Sequence, residues 1–239
     1  MGERFAGKVA LITGGTGGLG RAVSLACLNE GAKVAVTYRN EGEMQALRKE
    51  AGARADALAG FAADVTEDAA AERLVSEILT QHGRIDFLVN AIGAYAGGTK
   101  LWETDPAVFD RMIALNLRAG FAILHAAVPA MVKQKSGSIV NVASRAAVDH
   151  AGGAVAYAAS KAAAVAMIDT LAADLKGTGV RANSILPSII DTAANRKAMP
   201  KANFAEWPKP EEIAQVILFL CSDEGKLIHG ASVPVYGQS

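Results

Sequence analysis

Short apolar runs recur along the chain at about 8–13, 33–38, 58–63, 85–90, 137–143, 180–186 and 231–235, each bounded by polar or turn-forming residues. Between most of them the apolar positions return at helical spacing. Strands that alternate with helices predict a parallel sheet covered on both faces, with right-handed crossovers fixing the winding. No composition shift or flexible linker interrupts the alternation, so residues 1–239 read as one doubly wound α/β domain.

Three longer stretches stand out. Pro106 to Met131 carries one helical pattern whose Phe109, Met112, Ile113, Leu117 and Phe121 mark an apolar face. Ala154 to Leu175 is an alanine-rich helix stopped at Gly177. Residues 187–210 read as a long irregular segment, and loops beyond about 12–15 residues are commonly functional. Its position after the sixth strand makes it a substrate lid.

Composition narrows the class. Apolar residues make up 51% and charged residues 20% of the 239, which excludes disorder as the dominant state. Lys plus Arg and Asp plus Glu balance at 24 each, so no net field draws the chain to nucleic acid or an anionic membrane. No run approaches 18 apolar residues, and the start, Met1 to Ala6, lacks the apolar region of a signal peptide. Cys27 and Cys221 form neither a disulfide framework nor a metal motif, and a reducing cytoplasm is the expected location.

Ligands of doubly wound sheets sit beyond the carboxyl ends of the strands. Gly14 to Gly20 follow the first strand, Arg39 the second, Asp64 the third, Asn90 to Gly93 the fourth, Ser144 the fifth and Pro187 the sixth. The first of these turns runs straight into a helix, where free backbone N–H groups suit a pyrophosphate. Tyr157 and Lys161 lie four apart on the alanine-rich helix, on one face with Cβ atoms about 5–6 Å apart. A nearby ammonium favours phenolate. Bringing a tyrosine from about 10 to about 7 takes roughly 4 kcal/mol, of which one lysine supplies about half. A second positive charge, such as an oxidised nicotinamide, is needed for the rest.

Thr13-Gly14-x-x-x-Gly18-x-Gly20, Asn90, Asn116, Ser144 and Tyr157-x-x-x-Lys161, in register over essentially the whole chain, resemble the signature of the short-chain dehydrogenase/reductase family. The resemblance implies a Rossmann-type three-layer fold around a mostly parallel seven-stranded sheet, and NAD(P)-dependent hydride transfer between a carbonyl and an alcohol. It assigns catalysis to Asn116, Ser144, Tyr157 and Lys161. Cofactor binding falls to Gly14, Thr16, Gly18, Leu19, Gly20, Arg39, Asp64, Val65, Asn90, Tyr157, Lys161, Pro187, Ile190 and Thr192, and no metal is implied. Where the fingerprint expects an acid for the ribose hydroxyl, this chain has Tyr38 followed by Arg39, which favours NADP(H) over NAD(H).

Blander readings stand beside these. Arg39 is otherwise a solvated charge, Asp64 a turn starter, Asn90 a tie between strands and Asn116 a satisfied core amide. The resemblance also implies a homotetramer, or a homodimer, through the helices that carry Asn116 and Tyr157. Gly93 to Gly98 and Asp191 to Pro200 are similar to segments of dihydropteridine reductases, and a 3-oxoacyl thioester reductase is a further alternative. From another class comes a nucleotide-binding regulator without catalysis. A hydrolase is disfavoured, because no Gly-x-Ser-x-Gly elbow surrounds Ser144 and His82, His125, His150 and His229 nominate no base.

Overall fold

A computed structural model describes residues 3–238. Met1, Gly2 and Ser239 lie outside the described residues, so the reading of the first two residues has no structural counterpart. In chain order the elements are β1 (Val9–Thr13), α1 (Gly18–Asn29), β2 (Lys33–Tyr38), α2 (Glu41–Ala51), β3 (Leu58–Ala62), α3 (Asp68–His82), β4 (Phe87–Asn90) and α4 (Pro106–Ile113). They continue as α5 (Ala119–Gln134), β5 (Gly137–Val142), α6 (Val155–Asp174), β6 (Val180–Pro187), α7 (Ala193–Ala198), α8 (Pro210–Cys221) and β7 (Ser232–Val235).

The seven strands form one sheet in the order β3-β2-β1-β4-β5-β6-β7. Every pairing is parallel, so the expectation of a mostly parallel sheet becomes an entirely parallel one. The order reverses direction between β1 and β4, which is where a doubly wound sheet opens its crevice.

Pleat alternation divides β1 between two cores. Ala10 and Ile12 join Val23, Leu28, Ile217 and Leu218 under α1 and α8, while Val9 and Leu11 join Ile78, Ile123 and Ile168 under α3, α5 and α6. Leu11 and Ile12 are wholly buried, and each such side chain contributes about 1.5–3 kcal/mol. These two layers hold the strand ends, and hence the site, in a fixed plane.

Asn90 shows how that plane is locked. Thr13, Asn90 and Asn141 stand at one register across β1, β4 and β5. Thr13 donates to Asn90 Oδ1 at 2.7 Å, and Asn90 Nδ2 donates to Asn141 Oδ1 at 2.9 Å. The side chain of Asn90 therefore ties three strands together, in line with the second of its two sequence readings.

Two expectations need correction. The helix from Pro106 runs on to Gln134, but the apolar face expected along it does not: a π-helical turn, Ala114–Arg118, lies between α4 and α5. The wide turn admits an extra residue and shifts the apolar stripe, so Met112 is buried while Phe109 and Phe121 are 41% and 45% exposed. Residues 187–210 are also less irregular than expected. Thr192 caps α7 by accepting from Asn195 N, Asn195 Nδ2 donates to the Ile190 carbonyl, and Trp207 is buried. Proline at 187, 200, 208 and 210 had masked this short helix.

Measured by averaged hydropathy, Pro106–Gln134 and Val155–Asp174 are long and apolar enough to cross a membrane, although no unbroken apolar run reaches that length. Both stretches carry part of the core: Ile123, Ala127, Met131, Ile168 and Ala172 pack on the sheet.

Candidate active site

The glycine turn is held from below. Gly14 adopts φ +66°, a left-handed conformation that costs glycine little, and its N–H donates to Thr37 Oγ1 at 2.8 Å. A Cβ on Gly20 would sit 2.1 Å from the Gly14 carbonyl oxygen, so the first turn of α1 can approach the loop only because that residue is glycine. At Gly17, the N-cap of α1, no side chain occupies the helix N-terminus, and the first turn has no acid. The free N–H groups and the helix dipole there fit a pyrophosphate.

A cavity of about 330 Å³ extends from this turn, and Gly14, Thr16, Arg39, Asp64 and Val65 all line it. Ala91, Ile92 and Gly93 close its other end. Asp64 accepts from Thr66 N at 3.0 Å and Thr66 Oγ1 at 2.7 Å, and these bonds hold its carboxyl below the usual range, with Arg39 adding to the effect. Leu19 is buried in the core, which leaves its backbone rather than its side chain to face a ligand. Pro187 ends β6, Ile190 packs against the core, and Thr192 Cγ2 would lie 2.8 Å from a Cβ on Gly18. The segment after β6 thus rests on the glycine turn. A larger cavity, about 500 Å³, lies at the amino ends of β4, β5 and β6 against Lys8, Asp86 and Arg181, away from every motif residue.

Beyond Gly93 lie Lys161, whose Nζ is next to that glycine, and the hydrogen-bonded pair of Ser144 and Tyr157. Ser144 follows β5 and caps a short turn by accepting from Ala146 N at 3.1 Å, and it shares a hydrogen bond with the Tyr157 hydroxyl. Lys161 is buried, with Nζ donating to the Val142 carbonyl at 2.9 Å. Among the described residues no carboxylate pairs with its ammonium, and burial pushes its pKa down to about 8. Gly93 makes room for both polar groups next to it. A Cβ there would stand 2.9 Å from Asn116 Oδ1 and 3.1 Å from Lys161 Nζ.

Asn116 occupies the π-helical turn and is buried. Its Oδ1 accepts from Ala94 N at 2.8 Å, and its Nδ2 donates to the Ala94 carbonyl and to Ser160 Oγ, each at 3.0 Å. The amide is thereby satisfied, and it pins the loop after β4 against α6.

The electrostatics of Tyr157 depart from the expectation that Lys161 makes it acidic. Burial raises its pKa above the ordinary tyrosine value, the Ser144 hydrogen bond lowers it by less, and Tyr95 raises it slightly. The protein alone keeps this phenol protonated at neutral pH. Lys161 is itself penalised by burial and spends its Nζ on a backbone carbonyl, so the half share allotted to it is not delivered. Tyr95, only an aromatic near the pocket in the sequence, stands edge-on to Tyr157 with ring centroids 5.0 Å apart.

Sequence reasoning missed Glu43 and Thr37. Glu43 lines the cavity and accepts from Thr16 Oγ1 at 3.0 Å. An acid in the first turn of a helix is ordinary capping chemistry, so nothing in the sequence distinguished it.

Residues 8–203 match the family model described as short chain dehydrogenase. The chain is 35% identical to a 3-oxoacyl-[acyl-carrier-protein] reductase of Thermotoga maritima, over 98% of each protein. Among solved structures it superposes on an NAD+-bound xylitol dehydrogenase with a TM-score of 0.90 at 26% identity, covering 98% of this chain and 99% of that one. ElxO with NADP bound gives a TM-score of 0.91 at 25% identity, covering 96% and 97%. A fold, a glycine turn and a motif order read from residues alone thus meet an independent match across the length of the chain, which belongs to the short-chain dehydrogenase/reductase family of NAD(P)-dependent oxidoreductases.

Proposed function

We propose that the chain is an NADP(H)-dependent oxidoreductase that interconverts a carbonyl and an alcohol, with Tyr157 as general acid and base. The observation that carries this reading is the hydrogen bond between Ser144 and Tyr157, with Lys161 one helical turn on and its Nζ beside Gly93, which lines a cavity that also holds Arg39. Bound nicotinamide would supply the hydride in reduction and take it up in oxidation. Gly14, Thr16, Gly18, Leu19 and Gly20 would hold the pyrophosphate and ribose, Asp64 and Val65 the adenine, and Arg39 a 2′-phosphate. Pro187, Ile190 and Thr192 would cover the nicotinamide end, and Lys161 would also reach its ribose.

In reduction, Tyr157 gives its proton to the substrate oxygen while Ser144 hydrogen-bonds that oxygen and stabilises the charge growing on it. The phenol carries its proton at neutral pH, as this step requires. Lys161, whose pKa burial lowers to about 8, returns a proton towards Tyr157. Asn116 Oδ1 lies on the same side of Gly93 as Lys161 Nζ, and its part is to connect that lysine with solvent.

Exposed apolar positions on the outer faces of α5 and α6, among them Phe121, Ala159 and Ala166, support a homotetramer or homodimer built through these helices. A cytoplasmic location agrees with two reduced, buried cysteines. The 35% identity to a 3-oxoacyl carrier-protein reductase favours a second substrate reading. Against it, of Arg145, Arg196, Lys197 and Lys201, the cations that an acyl carrier would need to meet, two are engaged: Arg145 pairs with Asp149, and Arg196 pairs with Asp191. The test is a panel of ketones, 3-oxoacyl thioesters and quinonoid pteridines run with NADPH and with NADH. Turnover of at least one class, faster with NADPH, is expected. Faster turnover with NADH throughout would overturn the cofactor choice.

A further inference from the structure

Of the two acids in the first turn of α2, one is turned away from the cavity. Glu41 hydrogen-bonds the Tyr38 hydroxyl and accepts from Gln45 Nε2 at 2.6 Å. Glu43 instead lines the cavity, in the same wall as Tyr38, Arg39 and Asn40, and accepts from Thr16 Oγ1 of the glycine turn at 3.0 Å. Its place is fixed from two sides. Thr16 is buried, and the Glu43 backbone N–H donates to the side chain of Asn40, the N-cap of α2. The fingerprint acid absent from the end of β2 thus has a counterpart five residues after Tyr38, delivered by the helix.

We propose that Glu43 is a specificity-determining residue that opposes Arg39: its carboxylate faces the adenosine 2′ position and lowers the preference for a 2′-phosphorylated dinucleotide. This deepens the reading of the cavity as a dinucleotide site and rests on it. A carboxylate accepts a hydrogen bond from a ribose 2′-hydroxyl and repels a phosphate at the same point, while a guanidinium does the reverse. With both in one wall, the chain binds NADP(H) and NAD(H) with less discrimination than Arg39 alone would impose. The Thr16 hydroxyl, held by Glu43, couples the choice at the 2′ position to the turn that receives the pyrophosphate.

The test is calorimetric titration of the full chain with NADP+ and NAD+, and with adenosine 2′,5′-bisphosphate and 5′-AMP as probes without nicotinamide. Glu43→Gln keeps an oxygen that accepts from Thr16 and removes only the charge. It should raise the ratio of NAD+ to NADP+ dissociation constants about tenfold, equivalent to about 1.4 kcal/mol, and shift the two probes the same way. Glu43→Asp keeps the charge and should leave the ratio within about threefold of wild type, which separates charge from a folding defect. A ratio unchanged in Glu43→Gln, or equal weakening of all four ligands, overturns the inference. Arg39→Ala tests the underlying reading separately: if it leaves NADP+ affinity intact, the assignment of Arg39 fails whatever Glu43 does.

Discussion

Lys161 is held at the site at a cost in stability that a single substitution should recover. Its pKa falls from 10.5 to about 8 through burial, and at about 1.36 kcal/mol per unit this amounts to about 3 kcal/mol of penalty on the charged form. Below pH 8 the lysine is protonated in both folded and unfolded chains, and the whole penalty stands. As pH rises from about 8 towards 10.5 the unfolded chain binds more protons than the folded one, so stability should rise with pH over that window. Lys161→Met keeps the length and apolar bulk of the side chain, abolishes the penalty, and leaves the Val142 carbonyl without its donor. The lost bond costs about 1 kcal/mol, so a net gain of about 2 kcal/mol is expected at pH 7. For a chain of this size that is an increase of roughly 4–8 °C in Tm. Thermal melts of wild type and variant, without cofactor and at one protein concentration, should be run at pH 7 and 9.5. The variant should melt higher at pH 7, with the difference shrinking at 9.5. A variant that melts lower at pH 7, or a difference independent of pH, would refute the reasoning. Turnover should be lost in the more stable protein, the mark of a residue kept for chemistry.

Asn90→Ala removes the tie between β1, β4 and β5 and leaves Thr13 and Asn141 unpaired, so a loss of about 1–3 kcal/mol in chemical denaturation is expected. NADP+ affinity should change little; a large loss of affinity with unchanged stability would return Asn90 to the cofactor. Gly93→Ala places a methyl 2.9 Å from Asn116 Oδ1 and 3.1 Å from Lys161 Nζ, and such crowding costs about 1–3 kcal/mol. It should lower kcat more than it raises KM, and equal effects on both would show that Gly93 matters for binding alone.

What was legible in the sequence depended on short-range rules. Val9 to Ile12 is buried because its residues are apolar on both faces, and the turn that follows depends on Gly14 and Gly20, where only glycine fits. These features placed the carboxyl-end residues in one plane before any coordinates. The π-helical turn at Asn116 was not legible, since α4 and α5 share one apolar pattern and the partners of Asn116, Ala94 and Ser160, lie 22 and 44 residues away. Thr192 followed by Asn195 is a readable cap for α7, hidden by the surrounding prolines. Glu43 was invisible because its partner, Thr16, lies 27 residues away. The direction of the Tyr157 shift was misjudged for a related reason. Spacing shows that a lysine is near, but not that burial outweighs its charge or that a backbone carbonyl claims it.

The most direct measurement is single-turnover reduction by Tyr157→Phe, alongside its NADP+ affinity by calorimetry. A general acid contributes about 10²–10⁴-fold, so the rate should fall by at least that lower bound while affinity stays within about twofold. Turnover retained within about tenfold of wild type would contradict the assignment of the proton to Tyr157.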